Sequence, residues 1–133
     1  MSPVLACLLI SWGPKSAGIA GEWTGRFEVR SVPQAASPAG QQAVNKVFAE
    51  IKSAKLSLSL RKQGTYLLKI PRLVVQPAIR EEGKWLRVGG TLLLVPSNGK
   101  PSRTLEVRSS KVLTLPAPKQ EPSLGETVFR KNP

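Results

Sequence analysis

Eight glutamates are the only acids in this chain: Glu22, Glu28, Glu50, Glu81, Glu82, Glu106, Glu121 and Glu126. Two of them converging in a cleft would supply a general acid and a general base. Other routes to catalysis are closed by composition. There is no His and no Asp, and Cys7 is the sole cysteine. A Ser-His-Asp or Cys-His nucleophile therefore cannot be assembled, nor can a zinc site from His and Cys. The glutamates fall at expected strand ends, in turns, or at alternating positions that should face solvent. The sequence thus assigns no catalytic residue, no metal ligand and no cofactor, and it reads as a non-enzyme.

The cations make the other chemistry. Twenty Lys and Arg against eight acids give a net charge of +12, a field that attracts nucleic acid, anionic lipid headgroups and acidic envelope polymers. No run of Lys and Arg exceeds two residues, as in Arg61-Lys62 and Arg130-Lys131, so the charge is spread over an outer face and not gathered in a tract. Nucleic acid is disfavoured as a partner. Single-strand binders stack bases on exposed aromatics, whereas Trp, Tyr and Phe here fall mostly at inward positions.

The elements that must position these side chains are short. From Gly21 to Arg30, Trp23, Gly25, Phe27 and Val29 alternate with polar residues, as in a strand with one face on a core and one in water. A linker rich in Pro, Ala and Ser follows. Over about 38–54 the period changes: Val44, Val47, Phe48 and Ile51 keep helical spacing, with Ser37 as N-cap and Pro38 at the first helical position.

The period of two then returns in Leu56, Leu58 and Leu60, and again in Tyr66, Leu68 and Ile70. Further strands are predicted at 73–79, 84–88, 91–95, 103–108, 111–115 and 126–130. Their turns fall at Lys62-Gln63-Gly64, Glu81-Glu82-Gly83, Gly89-Gly90, Asn98-Gly99 and Ser109-Ser110. Eight or nine antiparallel strands in a meander bury their edges most simply by closing into an up-and-down barrel. A two-sheet sandwich is the alternative.

Residues Val4–Trp12, VLACLLISW, form an apolar run too short to span a bilayer but of the length of a signal-peptide core. Gly18 and Ala20 supply the small side chains that a signal peptidase requires, which predicts cleavage after Ala20. Residues 1–20 then form a leader and 21–133 a single domain, secreted or periplasmic. No Lys or Arg precedes the apolar run. A lipid anchor at Cys7 is the less favoured alternative, since the apolar stretch continues past it.

Two G-x-W triplets, Gly21-Glu22-Trp23 and Gly83-Lys84-Trp85, stand at strand openings, and Phe129-Arg130 closes the chain's last strand. With Gly64-Thr65-Tyr66, Leu92-Leu93-Leu94 and Asn98-Gly99-Lys100, this order resembles the lipocalin or calycin pattern. It is similar to an uncharacterised subgroup of small secreted bacterial β-barrel proteins of that type. The resemblance implies a barrel of about eight strands, here with a helix after the first. It also implies that Trp23 packs under Arg130 to close the barrel floor, a cation–π contact.

A further implication is a small apolar or amphipathic ligand in the cup, touching Tyr66, Leu68, Trp85 and Leu92. Small eight-stranded barrels are either filled by side chains or hold one ligand. The function expected is that of a monomeric, non-catalytic carrier of an apolar or amphipathic molecule; the alternative is a filled barrel whose basic surface engages an anionic envelope component.

Overall fold

The computed structural model describes residues 18–74, 76–117 and 123–133. They form eight antiparallel strands in a closed barrel, each paired with its sequence neighbours and β8 with β1. The strands are β1 (Gly21–Val29), β2 (Leu56–Leu60), β3 (Thr65–Ile70), β4 (Ile79–Val88), β5 (Thr91–Pro96), β6 (Arg103–Ser109), β7 (Val112–Leu115) and β8 (Leu124–Lys131), with helix α1 (Pro38–Ser53) between β1 and β2. The expected barrel with one helix after the first strand is what the chain forms. The architecture is compatible with a lipocalin-like fold.

Two local readings are corrected. The strand expected at 73–79 is not found among the described residues. Leu73 and Gln76 make an isolated bridge, and the paired strand begins only at Ile79. Glu81, Glu82 and Gly83 are not a turn but the middle of β4, paired with Leu68, Leu67 and Tyr66. The cause is tertiary. Gly83 reads as a turn residue, yet a Cβ there would overlap the Val95 carbonyl and come within 2.8 Å of the Tyr66 ring. This glycine lets β5 and Tyr66 approach the strand closely, one of the meanings of glycine within a sheet.

Alternation decides the core. Trp23, Leu56, Leu58, Leu60, Tyr66, Leu68, Trp85, Leu92, Leu94, Leu105, Leu113 and Phe129 point inward and pack as one cluster, joined by Ile19. Gly25 leaves room for the Phe129 ring, which a Cβ would meet at 2.5 Å. At the other register the strands present polar or half-exposed side chains to water.

The two ends of the barrel are closed differently. At the helix end, α1 is capped by the Ser37 hydroxyl, which accepts the Gly40 N–H at 3.0 Å. Ile51 and Ala54 pack with Leu73 in a second cluster, against Phe27, Val29 and Leu124. At the opposite end the segment Gly18–Ala20 lies across the opening. Ile19 is fully buried, and its carbonyl accepts the indole N–H of Trp23 at 2.9 Å. The first seventeen residues, and with them the apolar run and Cys7, lie outside the described residues.

Candidate functional site

The residues read as a ligand set are all interior. Tyr66, Leu68, Trp85 and Leu92 are each at most 3% exposed and belong to the same packed cluster. The structure therefore brings the four together, in contact with core side chains. Trp85 is tied at its polar tip as well: its indole N–H donates to the Arg61 carbonyl at 2.8 Å. Both tryptophans of the G-x-W triplets thus hang from backbone carbonyls at the end opposite the helix. That serves barrel closure, since a buried indole N–H needs an acceptor.

Arg130 is not the residue over Trp23. It sits opposite Thr24 and Val112 and is exposed, while Trp23 faces inward. Because successive strand residues alternate faces, the inward partner in register with Trp23 is Lys131. Its ammonium donates to the Gly18 carbonyl at 3.1 Å. The cation at the barrel floor is one residue later than the sequence pattern suggested.

A polar trio inside the barrel was missed altogether. Glu81 is 3% exposed and accepts from the Tyr66 hydroxyl at 2.8 Å. Arg103 donates to the same carboxylate through Nε at 3.0 Å and through Nη2 at 3.3 Å. Buried carboxylates are tolerated only when paired and hydrogen-bonded, and here three donors converge on one. Burial raises the Tyr66 pKa well above that of an ordinary phenol, and the hydrogen bond to Glu81 and its negative charge add to that effect against the opposing charge of Arg103. A phenol held in its protonated form is a donor, not a base. The signal in the sequence was available: Glu81 sits at even spacing from Gly83 and Trp85, so it shares their inward face.

The outer surface holds the other candidate. Ser57, Lys69 and Arg80 are in direct register across β2, β3 and β4, all exposed and all on the outer face. Lys55 precedes this row. With Ile70, Pro71, Ala78 and Ile79 these residues line a groove of about 340 Å³ near the helix end of the barrel. Arg80 is held by Glu82 at 3.0 Å, whereas Lys55 and Lys69 have no acidic partner among the described residues. Like charges directly opposite one another on neighbouring strands are destabilising, and Lys69 stands opposite Arg80, whose charge Glu82 offsets in part. Sequence reading could not pick this row from twenty dispersed cations without the register.

Among the described residues no cluster of three metal-ligating side chains occurs, and no helix is long and apolar enough to cross a membrane. Comparison with protein-family models, with curated proteins and with solved structures found no match.

Proposed function

We propose that this chain is an exported, non-catalytic interaction module: a lipocalin-like barrel with a packed interior that engages an anionic envelope component through the groove on β2, β3 and β4. The observation that carries this reading is the row Ser57–Lys69–Arg80, flanked by Lys55, with two cations left without acidic partners. Lysine ammonium groups are effective point-charge partners for phosphate, and the serine hydroxyl adds a donor. Export is supported by the apolar run at residues 4–12. A non-catalytic role is supported by the commitment of Glu81, the buried acid among the described residues, to Arg103 and Tyr66. Carriage of an apolar molecule inside the barrel is the less supported reading, because Tyr66, Leu68, Trp85 and Leu92 are buried within one packed core cluster.

The test is binding of the protein to phosphatidylcholine vesicles with and without phosphatidylglycerol, and separately to soluble polyphosphate. Association is expected with the anionic vesicles or the polymer, the two arms distinguishing headgroup from free chain. It should weaken as ionic strength rises past about 0.15 M, where the screening length falls to about 8 Å. Lys55→Gln and Lys69→Gln should each lower affinity about fivefold, since a lysine near an anionic surface contributes about 1 kcal/mol. Lys111→Gln, on the hairpin at the far end, should not. Equal effects of all three substitutions would refute the groove as the site.

A further inference from the structure

The helix leaves part of its apolar stripe half-exposed. Of Val44, Val47, Phe48 and Ile51, only Ile51 is buried. Beside that stripe, between α1 and the end of β1, lies a cleft of about 450 Å³, within the range of small-molecule sites. Its apolar walls are Val29, Val32, Phe48 and Ala49, and Val32 is 41% exposed.

The polar residues along the same cleft are the cations Lys52 and Arg30, the Asn45 amide and Ser31, with no acid among them. Lys52 has no acidic partner among the described residues, and among them the Arg30 guanidinium meets an acid only in a long 3.8 Å contact to an exposed Glu28. Asn45 accepts from Gln41 through Oδ1, which leaves its Nδ2 donor without a protein partner among the described residues. An apolar trough edged by donors and cations is complementary to a molecule with a hydrocarbon chain and an anionic head.

We infer that the cleft between α1 and β1 binds a single-chain amphiphile bearing a carboxylate. The chain lies against Phe48, Val29 and Val32, and the head meets Lys52, Arg30 and Asn45. This site is separate from the basic groove and does not depend on it, since no residue lines both. It also places an amphipathic ligand outside the barrel, against the helix, and leaves the interior packed.

The experiment is a calorimetric titration of the full chain with dodecanoate below its micelle concentration, with dodecyltrimethylammonium as the cationic counterpart. Saturable one-to-one binding of dodecanoate is expected, at least tenfold tighter than the cationic amphiphile. Affinity should rise roughly fourfold per added methylene over neighbouring chain lengths, as for buried hydrocarbon.

Ala49→Trp, at an exposed helix position where the indole would occupy the trough, should abolish binding without loss of fold. Lys52→Gln should weaken it severalfold, while Lys62→Gln on the distant turn and Lys69→Gln in the basic groove leave it unchanged. The inference is overturned by an absence of saturable uptake. It is equally overturned by binding that survives Ala49→Trp, or by equal losses at Lys52 and Lys62, which would reduce the effect to net charge.

Discussion

Removing Ile19 should destabilise the barrel even though it lies before the first strand. Its side chain is 0% exposed and sits in the same cluster as Trp23 and Leu60. Burying a side chain of this size contributes about 1.5–3 kcal/mol, and truncating it to Ala in a packed site costs about 2–5 kcal/mol once the cavity is included. Its backbone matters as well, because the Trp23 indole N–H donates to the Ile19 carbonyl. An orphaned buried donor costs about 1–3 kcal/mol.

In a chain that begins at Gly21 both contributions vanish. The Lys131 ammonium also loses the Gly18 carbonyl it now reaches and faces a new amino terminus. Water entering the opened end would rehydrate the indole, so the expected loss is nearer 3 kcal/mol than the sum. The assay is urea unfolding of chains beginning at Gly18 and at Gly21, followed by tryptophan fluorescence and linear extrapolation. With a slope of about 1–3 kcal/mol per molar urea, the midpoint should fall by about 1–3 M. Equal midpoints would refute the claim that Gly18–Ala20 is part of the barrel. Cleavage after Ala20 would remove this core residue, so if the chain is exported as proposed, N-terminal sequencing of the mature form should find a terminus that still includes Ile19.

Tyr66 is the only tyrosine in the chain, and its folded pKa is raised above the unfolded value of about 10. Its contribution to stability is therefore fully present below about pH 10 and is lost as pH rises beyond that, by about 1.4 kcal/mol per pH unit. Phenolate absorbance of the native protein should be absent at a pH where the urea-unfolded chain shows it, and Tyr66→Phe should remove this share of the alkaline loss in urea midpoint. Gly83→Ala should cost about 3 kcal/mol, because the added methyl meets a backbone carbonyl and overpacking against backbone cannot relax by rotamer change; thermal unfolding by circular dichroism measures it. Lys69→Gln should do the reverse, raising stability by about 0.2–1 kcal/mol through relief of its cross-strand repulsion with Arg80. The same substitution should weaken anion binding, a combination that marks a residue kept for a partner.

How much was legible follows from which signals are local. Alternation of two in Trp23–Val29, Leu56–Leu60 and Tyr66–Ile70, and the change to helical spacing with Ser37 and Pro38 at its head, are properties of neighbouring residues. They fixed the strands, the helix and the inward face, and enough short antiparallel strands in sequence left closure as the simplest way to bury edges. The turn residues Gly89-Gly90 and Asn98-Gly99 were legible for the same reason, since positive φ at Gly89 and Gly99 is a demand of the local backbone.

Register, by contrast, is set across strands that lie far apart in sequence. Only the assembled barrel placed Lys131 and not Arg130 across from Trp23, and only it aligned Ser57, Lys69 and Arg80 into one row. Glu81 and Gly83 show the same limit in a different form. Each looks like a turn residue in its own neighbourhood, yet Glu81 is held in a strand by Tyr66 and Arg103, and Gly83 by the close approach of Val95. Sequence alone determined the kind of element and the face each residue takes, because those depend on the chain's own period. The tertiary structure decided which charges meet, because an ion pair or a repulsion depends on distances that no local pattern encodes.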